Sequence, residues 1–274
     1  MSIVLGANNY GKSEVRLVKV SRAPGRHELR DLTVDVALEG DFAAAHVSGD
    51  NTGLLATDTM RNTVYALAKQ HPVDPIESFG RVLVERCLAA GPSVTRARVR
   101  IAQHPWERLV IGGRPHEHAF QRGAGGTRVA TVAGGDGELH IEAGIEDLLV
   151  LKTTGSGWEG YLRDEYTSLA ETDDRIMATE ITARWTYGST DLDFTASWHA
   201  VREVVLEARP EIERIRFSLP NRHHLLFDLS RFGLENDHEI FHATTEPYGL
   251  IEGTVERSGV PAGADAAGAR HARA

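Results

Sequence analysis

Apolar and polar residues first alternate over residues 14–20, where Arg16 separates Val15 from Leu17. A period of two predicts a half-buried strand, because successive side chains point to opposite faces. Residues 33–39 repeat the pattern with Val34, Val36 and Leu38, and Gly25 between the two runs suits the turn of a long hairpin. From residue 59 to about 70 the spacing becomes helical, with Met60, Val64 and Leu67 on one face. A second helix is expected from residue 74 onwards. Asp74 would cap it, Pro75 would take its first position, Glu77 would close a capping box, and Gly91 would end it. Its buried stripe would be Ile76, Phe79, Leu83 and Cys87. Alternation then returns in residues 94–101, with Thr95, Ala97, Val99 and Ile101 on one face. Further strands are expected near residues 127–132 and over Glu138–Lys152.

That order of elements then restarts. Met177–Tyr187 reads as a strand, residues 194–198 lead into a helical run through Val204, Val205 and Ala208, and residues 213–218 and 224–229 alternate as two more strands. The pattern predicts an α+β chain of two similar halves, 8–145 and 146–257, followed by a disordered Ala- and Gly-rich tail, 258–274. The halves differ in one respect. Between its strand pairs the first has residues 59–91, room for two helices, while the second has only residues 197–211, room for one. The second half is expected to lack a helix.

Composition narrows the class. Over 274 residues, 41% hydrophobic and 25% charged residues are ordinary for a globular protein, and a formal charge of -9 gives no general pull towards nucleic acid or anionic lipid. One cysteine, Cys87, allows no internal disulfide and no cysteine-cluster metal site. No run approaches the roughly 18–20 apolar residues that span a bilayer. The chain starts without a secretory pattern and ends without a peroxisomal one, so a soluble, cytoplasmic protein is expected, with no nucleic-acid or membrane partner.

Four segments carry the candidate chemistry. They are Asn9-Tyr10-Gly11-Lys12; Ala56-Thr57-Asp58-Thr59 with Asn62-Thr63-Val64-Tyr65; Leu162-Arg163-Asp164-Glu165-Tyr166-Thr167 with Glu171-Thr172 and Asp174-Arg175; and Leu219-Pro220-Asn221-Arg222-His223-His224. Together, and in this order, they resemble the urate oxidases (uricases) from about residue 8 to residue 257. The resemblance implies a tandem T-fold, in which antiparallel sheets of several subunits close into a β-barrel tunnel with helices on the outer face. It implies a homotetramer with active sites at subunit interfaces. It also implies cofactor-free oxidation of urate by dioxygen to 5-hydroxyisourate and hydrogen peroxide.

The family's roles carry over residue by residue. Lys12 is either a solvated lysine or, as the resemblance implies, a catalytic one that accepts a proton when partly desolvated at an interface. Thr57 and Asp58 are either plain helix caps or a site where free N–H groups at a helix start bind the urate anion. Thr57 also matches the family's catalytic threonine, whose hydroxyl Lys12 would polarise. Arg175 is either a surface partner of Asp173 or Asp174 or the family's urate-binding arginine, a fork that makes two parallel bonds to the purine edge. Trp158 would stack on the purine, in a place where the family usually has Phe.

Asn221 and His223 lie two apart, on one side of a strand, and match the family's oxygen-binding asparagine and relay histidine. His116, His118, His223 and His224 have no metal-ligand spacing, so no metal is expected, and the missing nucleotide motifs and the resemblance together imply no cofactor. The family's substrate-binding glutamine has no counterpart in residues 197–211, where the helix is also short, and both point to an internal deletion. The alternative function is therefore an inactive or weakly active purine-binding scaffold of the same fold.

Overall fold

A computed structural model describes residues 4–172, 174–189 and 210–259. The first alternating runs form one hairpin, β1 (Tyr10–Ala23) and β2 (Arg26–Gly40). It turns at Gly25, whose φ of 71° suits a residue without Cβ. A short helix, α1 (Ala43–Ser48), precedes α2 (Thr57–Gln70) and α3 (Ile76–Leu88). Then come β3 (Val94–His104), the hairpin β4 (Trp106–Ile111) and β5 (Arg114–Arg122), β6 (Thr127–Gly135) and β7 (Glu138–Lys152). Later in the chain come β8 (Met177–Tyr187), β9 (Ile212–Leu226), β10 (Phe241–Ala243) and β11 (Gly249–Glu256).

Among the described residues every pairing is antiparallel. The main sheet runs β1-β2-β3-β6-β7-β8-β9, with β10 and β11 end to end on the outer side of β9. Among the described residues β1 and β11 each have one unpaired edge, so the sheet does not close on itself. On one face Val34, Val36, Val99, Ile101, Val132 and Ile141 are buried with Met60 and Val64 of α2 and Phe79 and Leu83 of α3. Gly80 lets α3 settle this close, because a Cβ there would lie 2.7 Å from Val132 Cγ2. A second cluster holds Ala143, Trp185, Ile212 and Ile215. The opposite face is polar: Arg100 reaches Glu146 Oε2 at 2.7 Å, and Arg184 binds the other oxygen of the same carboxylate.

Two expectations need correction. Asp74 and Glu77 do not cap α3. Pro75 is the N-cap residue, no side chain bonds that helix start, and the helix ends at Leu88 with Ala89 as C-cap, before Gly91. The carboxylates serve Arg128 instead, which is 3% exposed and donates to Glu77 Oε2 at 2.5 Å and Asp74 Oδ1 at 3.1 Å. A buried guanidinium without partners costs about 3–5 kcal/mol, whereas a cap is worth about 1, so the ion pairs win. The second correction is that residues 213–218 and 224–229 are not two strands. β9 runs unbroken from Ile212 to Leu226, through Pro220. The helical run through Val204, Val205 and Ala208, and the tail from residue 260, lie outside the described residues.

Two strands carry similar irregularities. β1 bulges between Lys12 and Val15, where Glu14 has φ 58°, and β7 bulges between Ile145 and Leu148, where Asp147 has φ 57°. The expected boundary between the halves falls within that second bulge.

Candidate functional site

One group of predicted residues gathers where β1 meets α2. Lys12 is half-buried at the β1 bulge, opposite Val36. The bulge is held from β2, where Asp35 Oδ1 accepts the Glu14 N–H at 2.8 Å. Thr57 is the first residue of α2, and Ala56, its N-cap, offers no side-chain bond. Neither Thr57 nor Asp58 caps the helix. The Asp58 carboxylate is turned to its own helix, with Arg61 at 2.6 Å and Asn62 at 3.1 Å. The first N–H groups of α2 therefore lack a side-chain acceptor, which is the feature an anion uses. Tyr10 registers the two elements. Its hydroxyl accepts the Leu55 N–H at 2.8 Å, its ring meets Phe42 edge-on at 4.7 Å, and burial pushes its pKa up.

The other group gathers between β7 and β9. Asn221 on β9 faces Thr179 on β8, whose hydroxyl donates to Asn221 Oδ1 at 2.8 Å, and His223 lies opposite Met177. Arg175 stands two residues before β8 and is half-buried. Its guanidinium does not pair with Asp174, whose carboxylate takes the Thr154 hydroxyl at 2.7 Å and the Ser156 N–H at 3.3 Å. Among the described residues the Lys12 ammonium, the Arg175 guanidinium and the Asn221 amide nitrogen have no hydrogen-bond or ion-pair partner. Trp158 and Thr172 bond each other's backbones at 2.7 and 3.2 Å. The Trp158 indole is 48% exposed, with Tyr161 stacked at 6.0 Å, so it offers aromatic surface to a flat ligand.

The two groups do not meet within the chain. The row of partners through Lys12 passes Val36, Val99, Val132 and Ile141. It reaches β8 where Thr186 pairs with Glu142, and β9 where Tyr187 pairs with Ile212. Six strand spacings separate β1 from β9, about 29 Å at roughly 4.8 Å each. His223 lies a further eleven residues along β9 from Ile212, about 36 Å at roughly 3.3 Å per residue. Three contributors were not singled out from the sequence: Tyr10, Asp174 and Thr179. The first two sit inside the quoted motifs, whereas nothing in the sequence marked Thr179. Residues 197–211, where the glutamine was sought, lie almost wholly outside the described residues.

A family model described as Uricase matches residues 8–133 and 141–209. The uricase of Arthrobacter globiformis is 44% identical over 94% of this chain and 91% of its own length. That of Dictyostelium discoideum is 36% identical over 92% of this chain and 96% of its own. In three dimensions the chain is similar to the crystal structure of the Arthrobacter globiformis uricase, with TM-score 0.89, 43% identity, and coverage of 97% of this chain and 99% of that one. A uricase from Bacillus fastidious shares the fold at TM-score 0.76 and 20% identity.

Proposed function

The chain belongs to the uricase family, and on that premise we propose that it is a urate oxidase of tandem T-fold. It converts urate, dioxygen and water to 5-hydroxyisourate and hydrogen peroxide. Urate loses two electrons, dioxygen gains them with two protons, and water supplies the new hydroxyl. The observation that carries the reading is a set of donors on half-buried residues with no partner in the described chain: the Lys12 ammonium, the Arg175 guanidinium and the Asn221 amide nitrogen. Donors left unengaged within the chain can bond a ligand or a second chain without first breaking an internal bond.

In this reading Arg175 grips the purine edge with two parallel bonds, Trp158 stacks on its face, and the N–H groups of Thr57 and Asp58 take the anionic oxygen. Lys12 polarises the Thr57 hydroxyl, and these two with His223 carry protons to and from urate and dioxygen. The electron-rich urate dianion then reacts with dioxygen held at Asn221, so the substrate does the redox work and no cofactor takes part.

The separation of Lys12 and Thr57 from Arg175, Asn221 and His223 supports a site completed by a second copy, within a homotetramer. Open edges on β1 and β11, and exposed Leu149, Leu151, Leu225, Leu250 and Ile251, support the same assembly. The matching bulges of β1 and β7 support tandem halves, 8–145 and 146–257. No described helix is long and apolar enough to cross a membrane. We place the protein in the cytoplasm, where the buried, unpaired Cys87 suits a reducing medium.

Purified, chelator-treated protein under air should bleach the ultraviolet absorbance of urate and release one hydrogen peroxide per urate. Unchanged absorbance, or activity that only an added metal restores, contradicts the reading.

A further inference from the structure

We propose that Asp174 is a positioning residue for urate, holding the segments that carry Trp158 and Arg175 in one fixed relation. The inference rests on the assignment of those two side chains to urate. Between the end of β7 at Lys152 and the start of β8 at Met177 the described chain has no strand and no helix, only the single bridge from Trp158 to Thr172. A connection of that length is mobile unless its own side chains tie it down.

Asp174 makes the tie. Its two carboxylate oxygens take the Thr154 hydroxyl at 2.7 Å and the Ser156 N–H at 3.3 Å, which fastens the stretch leading to Trp158. Its backbone engages the other stretch. The Asp174 N–H donates to Thr172 Oγ1 at 3.2 Å, and the Thr172 hydroxyl donates to the Asp174 carbonyl at 2.5 Å. Thr172 is the residue that bridges to Trp158, so the circuit closes through both backbone bonds of that bridge. Arg175 follows Asp174 directly, so its Cα is set by the same knot. The Thr154 hydroxyl, followed by the N–H groups of Ser156, Gly155 and Arg175, holds the Asp174 carboxyl below the usual carboxylate range. The charged form is therefore the one that ties the loops.

A ligand that must order these two stretches itself spends part of its binding free energy on doing so, whereas a pre-tied pair leaves that energy as affinity. The effect belongs to urate binding and not to the oxidation step. The test compares urate affinity, measured by equilibrium binding with oxygen excluded, with steady-state kinetics under air. Asp174→Ala should raise the Kd and KM for urate about tenfold and change kcat by less than about twofold. Asp174→Asn and Thr154→Val should give smaller shifts of the same kind. Since Asp174 acts by fixing Trp158 relative to Arg175, the effect of Asp174→Ala should shrink to about twofold or less when Trp158→Ala is already present.

A drop in kcat with unchanged urate affinity, or the full tenfold factor persisting without Trp158, overturns the proposal. Should Asp174→Ala not fold, unchanged KM in both Asp174→Asn and Thr154→Val overturns it equally. Unaltered affinity in an Arg175→Ala or Trp158→Ala chain would instead remove the underlying substrate assignment.

Discussion

In the proposed site Thr57 has two separable roles. Its backbone N–H is one of the unsatisfied donors at the start of α2, and any residue there keeps it. Its hydroxyl is specific to the side chain. Thr57→Ala therefore removes proton relay and leaves anion binding, so kcat should fall about 10²-fold or more, the scale of one acid–base group, with urate Kd little changed. Arg175→Ala removes the purine clamp and should raise Kd first. Steady-state kinetics with equilibrium binding separates the two, and parallel losses in both variants would contradict the division of labour. The motifs were enough to propose Lys12, Thr57, Asp58, Trp158, Arg175, Asn221 and His223, because short spacings such as Asn221-x-His223 survive in sequence. The supporting bonds were not legible. Thr179 meets Asn221 across two strands, and Asp174 meets Thr154 across a long connection; tertiary structure alone brings such residues together.

α3 shows how far an element can be read from its pattern. The stripe of Ile76, Phe79, Leu83 and Cys87 is buried as its spacing requires. Its start was misread, because Asp74 and Glu77 carry the signature of a cap while Arg128, distant in sequence, claims both carboxylates. Arg128→Met would strand the Glu77 carboxylate, 1% exposed, and should lower stability by about 3–5 kcal/mol in urea denaturation. A loss below about 1 kcal/mol would show that the pair is not the anchor described here.

On the same helix, burial pushes the Cys87 thiol from 9.0 up to about 11. The unfolded chain ionises first, so the thiol favours folding below its ordinary range and loses that contribution as pH rises towards 11. Stability should fall by about 2–3 kcal/mol from pH 8 to pH 11 in the native chain, and Cys87→Ala should flatten that slope. The hairpin β4–β5 went unread, although its two central residues, Gly112 and Gly113 at φ 59° and 75°, are a turn signal. Its strands do not alternate cleanly, since the hairpin is held by Arg108 reaching the His116 and Glu117 carbonyls at 2.9 and 2.8 Å and not by a buried face.

At the scale of the molecule, the sheet presents the proposed site residues at places that one chain cannot bring together. Lys12 and Thr57 belong to the β1 side, while Arg175, Asn221 and His223 belong to the β8 and β9 side. The central claim is that two copies complete each site, and complementation tests it without knowledge of the interface. Lys12→Ala and Arg175→Ala chains, each purified, should both be nearly inactive towards urate. Unfolded together in equal amounts and refolded, they should form mixed pairs in which one of the two sites carries both native halves. With random pairing, activity should return to about a quarter of that of the native chain treated alike. Activity no higher than the sum of the separately refolded variants, despite demonstrated mixed assemblies, would contradict the account and place the whole site within one chain.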